Sequence, residues 1–101
     1  MRYRNKLKII ADILKATGDG SNKTRIMYLA NLSYHLLEKY LTMVIKARLL
    51  RNNGGKYEIT EKGKAFLEKY EKYSKKISKI SKELETIKFE KRVLEEMCEA
   101  P

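Results

Sequence analysis

A regular repeat of apolar residues runs through the last third of the chain and restricts its fold more than any other feature. Side chains recur at alternating steps of four and three at Phe66, Tyr70, Tyr73, Ile77, Ile80, Leu84, Ile87, Lys91, Leu94 and Cys98. Nine of these ten are apolar or aromatic, and every intervening residue between Tyr70 and Phe89 is Lys, Glu, Ser or Thr. A narrow stripe with a period of 3.5 residues is typical of a coiled-coil seam. One helix cannot bury such a stripe alone, so the sequence predicts a long helix that forms a homodimer.

The predicted dimer contacts and their direction follow from the same repeat. The seam residues expected to pair are Phe66, Tyr70, Tyr73, Ile77, Ile80, Leu84, Ile87 and Leu94. An antiparallel pair centred near residue 82 brings Lys76 beside Glu90 of the partner subunit, whereas a parallel pair opposes two Lys91 side chains in the seam. The antiparallel coiled coil is therefore favoured. Alternatives are a helix that folds back on its own domain, and stacking of Tyr70 and Tyr73 on single-stranded bases.

The rest of the chain shows three helical segments followed by a hairpin. The predicted elements are helices over residues 3–17, 23–30 and 34–47, strands over 49–52 and 56–59, and a long helix after Thr60. Gly18 and Gly20 end the first helix, and Ser21 or Asn22 caps the second. The second helix is expected to face Ile26, Leu29 and Ala30 inward, and Ser33 is expected to cap the third.

This order of elements predicts a mainly α fold with a small β-hairpin, namely a winged helix-turn-helix followed by a long C-terminal coiled-coil helix. Residues 1–64 are assigned to the winged-helix domain and residues 65–101 to the dimerisation helix. Asn53, Gly54 and Gly55 form the predicted hairpin turn, and Gly63 is expected to be tolerated in the first turn of the long helix.

The positive charge is concentrated in the first two thirds of the chain. Residues 1–64 contain 14 Lys or Arg and 5 Asp or Glu, a net charge of +9, and residues 65–101 contain 9 and 8, a net charge of +1. A localised excess of this kind indicates a surface for a polyanion. Nucleic acid is favoured over acidic lipid headgroups as that partner.

The third helix has one polar line along an otherwise apolar segment, SYHLLEKYLTMVIKARLL. His35, Lys39, Thr42 and Lys46 fall within roughly 60° of one another on a helical wheel, opposite an apolar face. Lysines can bind phosphates or guanine edges, and Thr42 can contact either a base or a phosphate. The alternative is an ordinary solvated helix face.

Further DNA contacts are predicted from the second helix, the cap of the third and the wing. They are Lys23 and Arg25 in the first turn of the second helix, Tyr34, and the wing residues Arg51 and Lys56. Solvated cations are the alternative for Lys23 and Arg25, and structural packing is the alternative for Tyr34. Arg2, Arg4, Lys6 and Lys8 form either a basic arm or a frayed terminus.

The segments KTRIMYLANLSYHLLEKYL at 23–41 and LLRNNGGKYEITEKGKAFL at 49–67 resemble the small crenarchaeal winged-helix chromatin proteins of the ten-kilodalton class. The resemblance covers nearly the whole chain, although FEKRVLEEMCEAP departs from the family pattern. It implies an archaeal, chromatin-like protein that binds double-stranded DNA as a dimer with two separated heads. It also implies an antiparallel coiled coil.

Other functions find little support in the sequence. The single histidine lies on the proposed reading face, so no acid, base and nucleophile set converges, and we expect no enzyme, metal site or cofactor. Cys98 is the only cysteine, and no apolar run is long enough to span a bilayer, which predicts a cytoplasmic, nucleoid-associated protein. Three functions remain open: an architectural DNA binder, a sequence-specific transcription regulator, and a protein-interaction module.

Overall fold

Residues 4–100, the part of the chain described by this computed structural model, form four helices and one antiparallel hairpin. The elements in chain order are α1 (Lys6–Thr17), α2 (Lys23–Ala30), α3 (Tyr34–Lys46), β1 (Leu50–Asn53), β2 (Lys56–Ile59) and α4 (Glu61–Met97). The predicted fold class, mainly α with one hairpin and a long C-terminal helix, is confirmed.

Short polar side chains fix the start of the first three helices. Asn5, Asn22 and Ser33 each accept a hydrogen bond from the backbone N–H three residues further on, at 2.9, 2.8 and 3.2 Å. Such caps satisfy N–H groups that have no partner within the helix. The predicted caps Asn22 and Ser33 are confirmed, and α1 begins at Lys6 rather than residue 3 because Asn5 caps it.

A tight turn of three residues joins α2 to α3. Asn31 adopts the left-handed conformation with φ of 53°, and the N–H of Leu32 donates to the carbonyl of Met27 at 3.1 Å. Leu32 is buried under the turn. The prediction that Leu29 faces inward is wrong: its exposed fraction is 51%, because Ile26 and Ala30, four residues apart, occupy the inward face of α2.

The core lies between the three short helices and the hairpin. Ile13 and Leu14 of α1, Ile26 of α2, Leu37 of α3 and Leu50 of β1 are almost completely buried. Each helix therefore contributes one apolar face, and burial of these faces supplies the main driving force for folding.

The hairpin is held to the helices through a third short segment. Leu50 pairs with Ile59 and Asn53 with Lys56, and β1 starts one residue later than predicted. Ser21 and Tyr57 exchange two backbone hydrogen bonds of 3.0 and 2.8 Å, which extends β2 onto the loop before α2. The wing is thereby fixed in position relative to α2.

The start of α4 fits closely against the end of α3 and the hairpin. The Thr60 hydroxyl donates to the carbonyl of Arg48 at 2.6 Å and accepts from the N–H of Gly63 at 3.1 Å, which confirms Thr60 as the cap. A Cβ atom on Gly63 would lie 2.3 Å from the carbonyl oxygen of Leu49. Gly63 is therefore required by this close approach and not merely tolerated.

The chain divides into two compact units, residues 4–70, called the head below, and residues 71–100, called the tail. The head extends beyond residue 64 because Phe66 and Leu67 of α4 pack against its core. The rings of Phe66 and Tyr70 stack at 6.2 Å between centroids. Two of the predicted dimer contacts thus lie in the head, where Phe66 is already partly buried.

The tail is helical to Met97 and has no buried residue among residues 71–100. The exposed fractions of its seam side chains lie between 47% and 64%; these side chains are Tyr73, Ile77, Ile80, Leu84, Ile87 and Leu94. Phe89, Val93 and Met97 are exposed apolar residues outside the seam, and Cys98, just past the helix end, is exposed as a free thiol. Dimerisation through the seam stays a prediction.

Candidate nucleic-acid interface

The exposed face of α3 consists of the four polar residues predicted from the sequence. His35, Lys39, Thr42 and Lys46 are all exposed. The opposite face, formed by Leu37, Tyr40, Leu41 and Val44, is buried in the core. Because the buried face fixes the rotation of α3, these four side chains form one line along its outer surface.

Two of these side chains have contacts within the head. The Thr42 hydroxyl donates to the carbonyl of Glu38 at 3.0 Å, and Lys39 Nζ lies 5.7 Å from the centre of the Tyr40 ring. The Thr42 hydroxyl hydrogen is therefore engaged, whereas its lone pairs and methyl group remain available. Lys39 is held by a weak cation–π contact that leaves its ammonium exposed.

Lys23 links the start of α2 to the middle of α3. Its ammonium forms an ion pair with the Glu38 carboxylate and lies 5.6 Å from the centre of the Tyr34 ring. The hydrogen bond to Glu38 raises the pKa of Lys23 above its ordinary value. Lys23 and Tyr34, predicted separately as phosphate contacts, are thus brought together, and a phosphate would have to replace Glu38 as the partner of Lys23.

Arg25 lies in the first turn of α2, and its side chain is exposed. Its backbone N–H is taken by the Asn22 cap, so any anion contact would use the guanidinium rather than the helix terminus. The wing residues Arg51 and Lys56 are also exposed. Arg51 Nε donates to Glu58 at 3.0 Å, and the side chain of Lys56 passes over Gly20, where a Cβ would meet its Cε at 2.6 Å.

The N-terminal basic residues do not form a free arm where the structure describes them. Arg4 pairs with Asp12 at 2.9 Å and also donates to the carbonyls of Ala30 and Asn31, each at 2.7 Å. Lys8 pairs with Asp12 at 2.9 Å, and this hydrogen bond raises the pKa of Lys8. Arg2 lies outside the described residues. Arg4 therefore ties the segment just before α1 to the turn between α2 and α3.

Two further exposed side chains of the head were not predicted from the sequence as candidate contacts. Arg48 lies between α3 and β1 in the left-handed conformation, with φ of 63°, and is exposed. Tyr28 projects from α2 with an exposed fraction of 81%. The signal for Arg48 was its place in a basic run between Lys46 and Arg51, whereas Tyr28 carries no signal beyond its position on the outer side of α2.

Over residues 4–100, no group of three or more His, Cys, Asp or Glu side chains is arranged to hold a metal ion. None of the helices described here combines the length and the apolar character that crossing a bilayer needs.

A short helix, a tight turn, a second helix with an exposed polar line and a two-stranded hairpin define the winged helix-turn-helix class. The family model for winged helix-turn-helix proteins matches residues 3–78, and the chain belongs to this family. The winged helix-turn-helix fold predicted from the sequence is thereby confirmed.

Two curated relatives and one solved structure similar to this chain come from archaea. The uncharacterized proteins MJ0290 and MJ0287 of Methanocaldococcus jannaschii are 39% and 40% identical over 69 and 65 residues, which are 67% and 62% of this chain. These matches cover 33% of MJ0290 and 67% of MJ0287, so the chain spans only a third of the first relative. The crystal structure of Sso10a-2, a DNA-binding protein from Sulfolobus solfataricus, matches with a TM-score of 0.58 at 27% identity and covers 97% of this chain and 100% of that one.

Proposed function

We propose that this protein is a dimeric double-stranded DNA-binding protein with an architectural, chromatin-like role and no enzymatic activity. The observation that carries the proposal is the line His35, Lys39, Thr42 and Lys46, exposed on the second helix of a helix-turn-helix. A helix in this position of the motif enters the major groove, which is about 12 Å wide. A protein of this kind would act at the nucleoid.

Binding would rest mainly on phosphate contacts of the head. The first turn of α2 supplies Lys23 and Arg25, and the wing supplies Arg51 and Lys56, all at the surface of the head. Such contacts give affinity that does not depend on sequence, and each neutralised phosphate makes binding more sensitive to salt. The net charge of +9 on residues 1–64 favours this mode of binding.

The tail would supply the dimer contact. Its seam of Tyr73, Ile77, Ile80, Leu84 and Ile87 leaves large apolar side chains about half exposed in a single chain. A second copy would remove this surface from water, and the charges beside the seam favour an antiparallel pair. The likeness to Sso10a-2 over almost the whole of both chains supports a similar set of elements in both proteins, the tail helix included.

The direct test is binding of labelled duplexes at several salt concentrations, measured by fluorescence anisotropy. The wild type should bind random-sequence duplex, and its affinity should fall by a few orders of magnitude across a fourfold rise in salt. Lys39→Ala with Lys46→Ala should weaken binding at least tenfold. The matched control Lys6→Ala with Lys64→Ala removes two exposed lysines outside the proposed surface and should change binding little. Equal binding by both variants would show that α3 does not contact DNA.

A sequence-specific transcription regulator of the same fold is the second candidate. The observation that favours it is Thr42, whose methyl group and lone pairs stay exposed at the centre of the α3 line. An affinity ratio of about a thousand or more between one selected duplex and scrambled duplexes would support regulation, and a ratio near one would support an architectural role. Absence of any salt-dependent DNA binding would instead favour a protein-interaction module.

The dimer has its own test. Ile80→Lys with Leu84→Lys places charge in the seam and should give monomers by light scattering, with weaker DNA binding. The control Ser78→Lys with Thr86→Lys adds the same charge outside the seam and should leave the dimer intact. A dimer that survives the seam variant would exclude the coiled coil as the contact.

A further inference from the structure

Basic and acidic residues are unevenly distributed along the tail. Residues 72–82 contain five lysines and no acidic residue, whereas residues 83–100 contain six glutamates and three basic residues. Lys72, Lys75, Lys76, Lys79 and Lys82 are all exposed. In the second half of the tail, ion pairs join Lys88 to Glu85 and Lys91 to Glu95, and across residues 4–100 no described ion pair involves these five lysines.

Pairing with a second tail would account for only one of the five lysines. With Ile77 and Leu84 at heptad position a and Ile80 at position d, Lys76 falls at position g, beside the seam, where it can meet an acidic residue of an antiparallel partner. The other four fall at positions c and f, on the side of the helix that faces away from the seam. We call Lys72, Lys75, Lys79 and Lys82 the lysine face. The coiled-coil dimer of the proposed function would leave this face uncovered, and the present inference rests on that dimer.

The lysine face has the spacing and chemistry of a phosphate-binding surface. Its members follow at steps of three, four and three, so they form one stripe about 15 Å long. Duplex DNA carries one negative charge per about 1.7 Å of its axis, so a stripe of this length faces several phosphates. Ser78, at position b beside the stripe, is small and polar and would allow close approach of a backbone.

An ordinary solvent-exposed helix surface does not explain why residues 72–82 contain lysines and no acidic residue. Residues 83–100 show what such a surface looks like on the same helix, because acidic and basic residues alternate there and form ion pairs at spacings of three and four. An anionic membrane would favour apolar residues next to the lysines, whereas the outer face of residues 72–82 has only Lys and Ser. We propose that the lysine face is a second binding surface for the phosphate backbone of duplex DNA, separate from the head.

The test compares two double variants that remove the same charge from the same helix. Lys75→Gln with Lys82→Gln removes half of the lysine face, and Lys88→Gln with Arg92→Gln is the matched control in the second half of the tail. Gln resembles Lys in helix propensity, and light scattering should show both variants to be dimers. Binding of a random-sequence duplex is measured by anisotropy against salt concentration.

The expected result is a smaller salt dependence for the lysine-face variant alone. Each lost phosphate contact lowers the slope of log affinity against log salt by about 0.9, so two changes per subunit should lower it by at least about two per dimer. The affinity should fall at least tenfold at 150 mM salt, and the control should keep the slope of the wild type. Equal loss in both variants would overturn the inference, because it would reflect net charge rather than this surface.

Failure of this inference and failure of the proposed function can be told apart. If the wild type binds duplex and responds to the α3 substitutions but not to Lys75→Gln with Lys82→Gln, only the lysine face is excluded. If the wild type shows no salt-dependent binding, the proposed function fails and this inference fails with it. Binding to phosphatidylserine vesicles that depends on Lys75 and Lys82, with unchanged binding to duplex, would assign the face to lipid headgroups and also overturn the proposal.

Discussion

The head and the tail use the two parts of α4 in different ways. In the head, Gly63 fits against Leu49, and Phe66 and Leu67 pack against a core shared with three other helices and the hairpin. In the tail, the same helix continues with its apolar stripe exposed over residues 71–100. One helix therefore completes a self-sufficient core at its start and presents an uncovered surface further on.

The head and the tail therefore differ in whether they need a second chain to bury their apolar side chains. Residues of the head bury their apolar faces within one chain, so the head should fold without a partner. A helix with no tertiary contacts is only marginally stable in water, and a 3.5-residue stripe gains burial only from another helix.

The first prediction compares one substitution in the two regions. Leu37→Ala removes a completely buried side chain of the head and should cost about 2–5 kcal/mol of folding free energy. Leu84→Ala, at a position 48% exposed, should leave the head stable and weaken only association of the chains. Peptide-resolved hydrogen exchange measures both, and fast exchange of head peptides in Leu84→Ala would show that the head depends on the tail.

The second prediction concerns Gly63. A glycine within a helix normally costs about 0.5–1 kcal/mol relative to alanine, so Gly→Ala is usually stabilising there. Gly63→Ala should instead destabilise the head by about 1–3 kcal/mol, because the added Cβ would lie 2.3 Å from the Leu49 oxygen. Thermal unfolding measures the change, with Ser78→Ala in the tail as the control. A stabilised Gly63→Ala variant would contradict the close packing of α4 in the head.

The third prediction concerns the caps of the head. Ser33→Ala removes the acceptor for the N–H of Leu36 and should cost about 1 kcal/mol. Ser81→Ala, in the exposed interior of the tail, removes no cap and should be neutral or slightly stabilising. Urea denaturation of both variants distinguishes these outcomes, and an equal loss would mean that Ser33 does not act as a cap.

The fourth and smallest effect is a pH dependence in the head. The Glu38 hydrogen bond raises the pKa of Lys23, so the ion pair stabilises the folded state below the ordinary lysine value of 10.5 and loses this effect as pH rises above it. The melting temperature of Glu38→Gln should therefore differ from the wild type by the same small amount from pH 6 to 9. The difference should shrink as pH rises past 10.5 and vanish only above the raised pKa of Lys23, and a difference that changed near pH 7 would point to another group.

The elements of the head could be predicted because their signals are local. Apolar periodicity, the caps Asn22 and Ser33 and the Gly54-Gly55 turn each depend on residues close together in the chain. The outward line of α3 was predicted for the same reason, since its buried face fixes the rotation of the helix. The predicted ends of the helices and strands differ from the observed ends by at most three residues.

Features that depend on residues distant in sequence could not be predicted. The requirement for Gly63 comes from a carbonyl 14 positions earlier, and the ion pair of Lys23 comes from a glutamate 15 positions later. Leu29 looked inward by periodicity alone, but a helix of eight residues has too few turns to fix its buried face. Whether each lysine or arginine of the interface binds DNA likewise depends on contacts with a partner molecule, and the sequence does not specify those contacts.

Cys98, the single cysteine of the sequence, is exposed just past the end of α4. Its position can show whether two α4 helices pair parallel or antiparallel. Disulfide geometry requires two Cα atoms within about 7 Å, a distance that parallel helices in register allow at matching positions. In an antiparallel pair of α4 helices centred near residue 82, the two Cys98 sulfurs would lie at opposite ends of the coiled coil, roughly 50 Å apart. Mild oxidation would therefore cross-link a parallel pair through Cys98 and leave an antiparallel pair uncross-linked, so the amount of disulfide-linked dimer reports which arrangement the chain adopts.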